Sequence, residues 1–160
     1  MEDELRAHAA RAGIADRVVF HGFVDDTAKH ELLAQSWIMA LPSLKEGWGL
    51  VIGEAGSHVV PTVAYRSAGG TAESIDHKSS GVLAESHDDF TSALRELLDD
   101  QEWRAFLGRG ALAKSHTFTW ETSQQAFARV LKAAYLHLPA EGVELSTADS
   151  HPTSRVVPGP

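Results

Sequence analysis

Short apolar runs alternate with longer amphipathic segments through the first half of the chain. Four runs predict strands, at residues 18–21, 37–41, 63–65 and 81–84. The segments between them predict helices at about residues 27–35 and 50–58, and a shorter helix that begins at Thr71. Strands that alternate with helices in this way predict an α/β fold, in which a Rossmann-like parallel sheet is flanked by helices.

The second half of the chain has the spacing of amphipathic helices. We predict helices at residues 88–98, 101–114 and 120–138. The last helix has one apolar stripe, whose spacing predicts that it packs into the core. Its members are Phe127, Val130, Leu131, Ala134 and Tyr135. Residues 139–160 are rich in Ser, Thr, Pro and Gly and have no period, which predicts a disordered tail after one folded domain at residues 1–138.

The composition narrows the classes of function. The chain has 22 acidic residues against 14 basic ones and a net charge of -8, which disfavours nucleic acid or an anionic bilayer surface as a partner. It has no cysteine, so disulfides, thiolate catalysis and Cys-ligated zinc are excluded. This composition fits the reducing cytoplasm, where we expect the protein to act.

The sequence shows neither a membrane segment nor a metal site. The acidic N-terminus, Met1–Glu4, lacks the apolar core of a signal peptide. No run reaches the roughly 18 apolar residues of a membrane span. The nine histidines never lie within five positions of one another, so no helical pair of metal ligands is formed. We therefore expect no integral membrane segment and no bound metal.

The stretch from Met39 to Tyr65 carries the candidate chemistry. Its first apolar run ends at Pro42, a loop with Gly47 and Gly49 follows, and a helix is predicted from about Leu50. The order is therefore strand, glycine-rich loop, helix, strand, which predicts a βαβ unit. Ligands of such sheets bind beyond the carboxyl ends of the strands, where this loop is placed.

Two glutamates frame the loop. Because Gly47 and Gly49 disfavour an unbroken helix, we predict Glu46 on a turn and Glu54 about one turn inside the helix. Free backbone N–H groups at a helix N-terminus bind phosphate, and carboxylates accept hydrogen bonds from sugar hydroxyls. Phosphate and polyol together indicate a nucleotide sugar, although two surface glutamates beside an ordinary turn fit the same spacing.

Five sequence blocks, in a fixed order, resemble a known family. The central block is P-S-L-K-E-G-W-G-L-V-I-G-E-A, in which seven residues separate the two glutamates. The others lie at residues 18–24, at 61–65, at 69–75 together with 81–83, and at 118–121. Together they resemble the retaining glycosyltransferases of family 4, which have the two-domain GT-B fold. The resemblance covers about residues 5–135 and identifies the chain as a C-terminal, donor-binding half of that fold, beginning after the half's first two strands.

The resemblance implies a role for each residue of the central block. Glu46 is implied as the catalytic residue, which contacts the donor sugar and stabilises developing charge. Glu54 is implied to bind the ribose hydroxyls of the nucleotide. Backbone N–H groups are implied to hold the sugar and the diphosphate, and they belong to Gly47, Trp48, Gly49 and Leu50. The loop after the first strand is implied to border the base, through Gly22, Phe23, Val24 and Asp25.

The resemblance also implies the reaction and the partners. A hexosyl group passes from a nucleotide-diphosphate sugar to an unknown acceptor with retention, and neither a metal nor another cofactor is needed. The arginine and lysine that hold the diphosphate, and the acceptor-binding domain, belong to segments that precede Met1 in the family. We therefore expect the isolated chain to be inactive, and its partner to be a separate GT-B N-terminal half or another copy of the chain.

Two features depart from the family pattern and leave an alternative open. A Gly-Thr-Pro before the third strand is Val59-Val60-Pro61 here, so a residue that can adopt positive φ is replaced by a β-branched one, which strains or reshapes that turn. Without two strands of the sheet, we expect the strands at 18–21 and 37–41 to pair directly. The alternative is a non-catalytic or decayed module that binds a nucleotide sugar or a partner protein.

Overall fold

The computed structural model describes residues 2–136. Three strands form one parallel sheet in sequential order, and they are β1 (Met39–Leu41), β2 (Thr62–Tyr65) and β3 (Gly81–Ala84). The helices are α1 (Glu2–Arg11), α2 (Asp26–Ala34), α3 (Leu50–Ser57), α4 (Thr71–Ser74), α5 (His87–Asp99), α6 (Gln101–Ser115) and α7 (Trp120–Leu136). Short 3-10 turns lie at Ala15–Arg17 and Arg66–Ala68. The chain forms two compact units, of which the first ends at His116 and the second contains α7.

The sheet is covered on both faces, as a parallel sheet requires. Val63 and Ala64 are neighbours on β2 and both are fully buried, and they face opposite sides of the sheet. One core cluster joins β2 and β3 to α5 and α6, and its buried members are Val63, Ala84, Phe90, Ala93, Leu97 and Leu107. A second consists of Ile52, Ala64, Ile75 and Leu83, and a third consists of Leu33, Ala55 and Val60. The predicted α/β class is therefore confirmed.

The predicted strand at residues 18–21 is wrong. This segment forms no strand, and Val19 is 73% exposed. It does not pair with β1, so the predicted closure of the two strands is also wrong. β-Branched and aromatic residues favour extended backbone, but a strand needs a neighbour to complete its hydrogen bonds. Phe20 instead lies under the guanidinium of Arg6, 4.4 Å from its ring centroid.

The apolar stripe of α7 lies in the second compact unit. In this helix Phe127 and Tyr135 are 65% and 84% exposed, and no residue is classed as buried. That the stripe packs into the core stays a prediction. Periodicity shows which face of a helix is apolar, but it does not specify what covers that face. The predicted disordered tail at 139–160 lies outside the described residues.

The strained turn predicted at Val59 is present. Val59 has φ 64, a left-handed conformation that costs a β-branched residue about 1–2 kcal/mol. The turn ends α3, because the backbone N–H groups of Val59 and Val60 donate to Gly56 and Ala55. A close approach of α6 helps to hold the turn in place, since a Cβ on Gly108 would lie 2.3 Å from the carbonyl oxygen of Val59.

The outer edge of β3 is closed by the residues that precede it. The backbone N–H of Leu83 donates to Nδ1 of His77 at 3.0 Å, and the N–H of Lys78 donates to the carbonyl oxygen of Gly81 at 2.8 Å. Desolvation, and then the charges of Arg66 and Lys78, lower the pKa of His77 below its ordinary value. The neutral ring is the form that can accept the hydrogen bond from Leu83.

We expect this contact to make stability depend on pH. Because the folded-state pKa is lowered, the unfolded chain takes up the proton first. The neutral His77 ring makes its full contribution to the free energy of unfolding above about pH 6.5. That contribution is lost as the pH falls through the folded-state pKa. The ring is partly accessible to solvent, so the expected loss is small, about 0.5 kcal/mol.

Urea unfolding between pH 5 and 8 checks this expectation. In His77→Asn the amide oxygen can accept the same hydrogen bond without titrating. As the pH falls, the wild type should therefore lose more of its free energy of unfolding than this variant does. An equal pH dependence in both proteins would show that His77 does not titrate in this way.

Candidate functional site

The loop between β1 and α3 lies at the carboxyl edge of the sheet. β1 ends at Leu41, and α3 begins at Leu50 after Gly49, which has φ 71 and is buried. A Cβ on Gly49 would lie 2.8 Å from Cδ1 of Ile52, so glycine suits both the conformation and the space. Gly49 is the N-cap residue of α3 and has no side chain with which to cap the helix. The first N–H groups of the helix therefore receive no acceptor from the N-cap side chain.

The backbone of Glu46 is held by the turn that follows β2. Its N–H donates to the carbonyl oxygen of Ala68 at 2.6 Å, and its own carbonyl oxygen accepts from the N–H of Gly70 at 3.4 Å. Glu46 and Gly69 form a parallel bridge. Gly70 lies so close to the loop that a Cβ there would be 1.6 Å from the carbonyl oxygen of Gly47. These backbone contacts fix the loop and leave the Glu46 side chain half-buried.

Two buried hydroxyl groups on α4 complete this support. Ser74, 5% exposed, donates through Oγ to the carbonyl oxygen of Trp48. Thr71 is fully buried and donates through Oγ1 to the carbonyl oxygen of Tyr65 at 2.7 Å. We did not predict either role from the sequence. The sequence does carry a signal for these roles. Two adjacent glycines allow another backbone segment to come close, and the hydroxyl residues that follow can donate hydrogen bonds to its carbonyl groups.

Glu54 lies on the second turn of α3 and is paired with a lysine of α2. Nζ of Lys29 contacts Oε1 of Glu54 at 2.8 Å and Oδ1 of Asp26 at 3.0 Å. The side chains of Lys29 and Glu54 are 29% and 32% exposed. Hydrogen bonds from Lys29 to Glu54 and then to Asp26 raise the pKa of Lys29, and the contact with Lys29 lowers the pKa of Asp26. We did not predict a role for Lys29 from the sequence.

The two glutamates lie in the kinds of local structure that the sequence predicted. Glu46 lies on a turn and Glu54 lies in a helix, as the glycine pattern predicted. The loop between them is solvent-facing apart from Gly49, with Trp48 and Leu50 39% and 76% exposed. That all these residues line one cleft stays a prediction.

The residues predicted to border the base are separate from that loop in sequence and precede α2. Asp25 caps α2, with its Oδ1 accepting from the N–H of Ala28 at 2.8 Å. Gly22 has φ 62, Val24 is half-buried and Phe23 is 98% exposed. The capping role gives Asp25 a structural function, and the contact of these residues with a base stays a prediction.

Histidines that are distant in sequence meet between α2 and the end of α3. Nδ1 of His30 lies 2.8 Å from Nε2 of His58. Within residues 2–136, however, no three or more His, Cys, Asp or Glu residues are grouped so that they could hold a metal ion. In the same part of the chain, no helix combines the length and the apolar character needed to cross a membrane.

Comparison with known sequences gives a family match over most of the chain. Residues 1–114 match the family described as glycosyl transferases, group 1. D-inositol 3-phosphate glycosyltransferase of Corynebacterium kroppenstedtii is 37% identical over 99 residues, which are 61% of this chain and 22% of that protein. The protein of the same name from Xylanimonas cellulosilytica is 34% identical over 139 residues, 86% and 33% of the two chains. The chain thus spans a third or less of these two relatives.

Solved structures of other proteins contain a region with the fold of this chain. Sucrose-phosphate synthase of Thermosynechococcus elongatus superimposes with a TM-score of 0.74 over 84% of this chain and 34% of that chain, at 21% identity. Anabaena Alr3699/HepE, solved in complex with UDP, superimposes with a TM-score of 0.73 over 82% and 36%, at 30% identity. It has also been solved with UDP-glucose.

Proposed function

Because the chain belongs to the group 1 glycosyl transferases, we propose that it binds the nucleotide-sugar donor of a glycosyl transfer at the N-terminal end of α3. One observation carries this proposal. The turn of Glu46 is bonded through its backbone to Ala68 and Gly70 at the carboxyl edge of the sheet, directly before an α-helix whose N-cap residue, Gly49, has no side chain to cap it. Such an edge is where ligands of α/β sheets bind.

The backbone of the loop and helix suits the diphosphate. The N–H groups of residues 47–50 surround the start of α3, and a helix N-terminus attracts an anion by up to about 2 kcal/mol. A diphosphate is already a good leaving group, so the transfer needs stabilisation of negative charge more than a strong acid. Binding without a metal ion is part of the same proposal.

The two glutamates suit the two sugars of the donor. Glu46, fixed by its backbone and half-exposed, is proposed to face the transferred hexosyl group and to stabilise charge during transfer with retention. Glu54, on the next turn of α3, is proposed to accept hydrogen bonds from the ribose hydroxyls. Carboxylates accept from several O–H donors at once, which suits both polyols.

We propose uracil as the base. The support is that Anabaena Alr3699/HepE, 30% identical to this chain, was crystallised with UDP and with UDP-glucose. The acceptor stays open. A separate N-terminal half or a second copy as partner, the base contacts of the Gly22–Asp25 loop, and action in the cytoplasm stay predictions.

Calorimetric titration of the 160-residue chain with UDP, GDP, ADP and UDP-glucose tests the proposal. We expect UDP to bind more tightly than GDP or ADP, and UDP-glucose to add affinity over UDP. The affinity should be the same with magnesium and with EDTA. Loss of binding in EDTA would contradict binding without a metal. No binding of any of the four ligands would contradict the proposed function and favour a module that binds another protein.

A further inference from the structure

We propose that Lys29 is a positioning residue that holds the Glu54 carboxylate ready for the vicinal hydroxyls of the donor ribose, an inference that rests on the proposed function. The two residues are 25 positions apart and lie on different helices, yet Nζ of Lys29 and Oε1 of Glu54 are 2.8 Å apart. This contact connects the turn of α3 that carries Glu54 to α2, which contributes no other residue to the proposed donor contacts.

The lysine is itself held in place. Asp26, one turn earlier on α2, accepts from the same Nζ at 3.0 Å. The side chain of Lys29 is 29% exposed, whereas that of Asp26 is 92% exposed. The ammonium group therefore lies between an outer carboxylate and an inner one. Its three donors can satisfy both without leaving the contact with Glu54.

The geometry leaves Glu54 able to bind a diol. Lys29 contacts Oε1, so Oε2 and the second lone pair of Oε1 have capacity for further donors. Adjacent ribose hydroxyls supply two O–H donors. A free glutamate must give up the rotational freedom of a long side chain to accept both. A glutamate already restrained by Lys29 has given up part of that freedom before the ligand arrives, which favours binding.

The alternative is that the ion pair only ties α2 to α3. A tie of that kind would affect stability and would weaken all ligands equally. Positioning of Glu54 would instead affect only ligands that carry ribose hydroxyls. The two hypotheses therefore predict different effects of removing Lys29 on the ratio of the affinities for UDP and its 2′,3′-dideoxy analogue.

The experiment compares the affinities of UDP and 2′,3′-dideoxy-UDP for the 160-residue chain. In the wild type we expect UDP to bind about tenfold more tightly, as charge-assisted hydrogen bonds allow. Lys29→Met keeps the apolar stem of the side chain, and it should reduce this ratio at least threefold while the analogue binds as before. Lys29→Arg should keep the wild-type ratio of the two affinities, because arginine also places a cationic donor beside Glu54.

Two further variants separate positioning from folding. Glu54→Gln should lose the same discrimination, and adding Lys29→Met to it should cause little further loss, because Lys29 acts through Glu54. Lys114→Met removes a comparable half-buried lysine from its 2.9 Å pair with Asp76 on another part of the fold. It controls for lost stability and should keep the wild-type ratio. Thermal unfolding of each variant verifies that it is folded.

Three outcomes would overturn the inference. An unchanged ratio in Lys29→Met would show that the lysine does not position Glu54. Equal weakening of UDP and its analogue would assign it a purely structural role. Tighter binding of UDP to this variant would show that Lys29 competes with the ribose. In each of these cases the wild type still binds UDP, so the proposed function stands, whereas a wild type that binds neither ligand overturns both.

Discussion

Replacing Gly70 by alanine is expected to displace the loop of Glu46 and to weaken donor binding more than about tenfold. A Cβ at this position would lie 1.6 Å from the carbonyl oxygen of Gly47, 2.6 Å from its carbonyl carbon and 3.0 Å from Cα of Trp48. All three are backbone atoms, so rotation of a side chain cannot relieve the overlap. The loop or the turn after β2 must move instead.

The expected effect is on stability as well as on binding. Gly70 has φ -60 and ψ -8, which alanine adopts readily. The cost is therefore steric, and we expect the free energy of unfolding to fall by about 2–4 kcal/mol. The contacts of Glu46 with Ala68 and Gly70 depend on the same approach, so UDP affinity should fall more than about tenfold.

Gly53→Ala is the matched control. Gly53 lies inside α3, and a Cβ there would meet nothing within 4 Å. Alanine should stabilise the helix by about 0.5–1 kcal/mol. Chemical denaturation of both variants and of the wild type gives the comparison. Wild-type stability and UDP affinity in Gly70→Ala would contradict the tight contact between Gly70 and the backbone of the loop.

Glu54→Ala and Glu46→Ala are expected to affect different parts of the donor. Removing Glu54 should weaken UDP by about 1–3 kcal/mol, which is roughly 5- to 150-fold, because the ribose loses its charged acceptor. Removing Glu46 should leave UDP affinity within about twofold and eliminate the additional affinity of UDP-glucose, a smaller loss of about 1 kcal/mol. The turn should survive both changes, because backbone atoms hold it.

Titration of the wild type and both variants with UDP and UDP-glucose checks these roles. Glu31→Ala, which removes an exposed carboxylate on α2, controls for the change in net charge. It should behave as the wild type with both ligands. If Glu46→Ala and Glu54→Ala weaken free UDP to the same extent, the assignment of one glutamate to the sugar and the other to the ribose is wrong.

Much of the fold was predictable because its signals are local. Apolar runs at β1, β2 and β3 and the periodicity of α5 and α6 lie within single segments, and the structure confirms these elements. The same holds at the candidate site. Glycines at 47 and 49 end the extended segment before the helix, so Glu46 lies on a turn and Glu54 in α3. Backbone preference alone determines that arrangement.

Wrong predictions arose where a local signal needed a distant partner. The 18–21 segment has strand-forming residues, yet it forms no strand in the structure. It also does not pair with β1, so the expected closure of the sheet by these two segments does not occur. An apolar pattern states what a segment can bury or pair, and the surrounding chain decides whether it does so.

By itself, the sequence determined the order of strands and helices, the glycine turn before α3 and the positions of its two glutamates along the chain. The tertiary structure alone decided what holds those glutamates. Gly70 and Ser74 contact the loop from just before α4 and from its last residue, and Lys29 reaches Glu54 from α2 across 25 positions. Such contacts depend on how helices pack on the sheet, and no local preference encodes the distance between atoms that far apart in the chain.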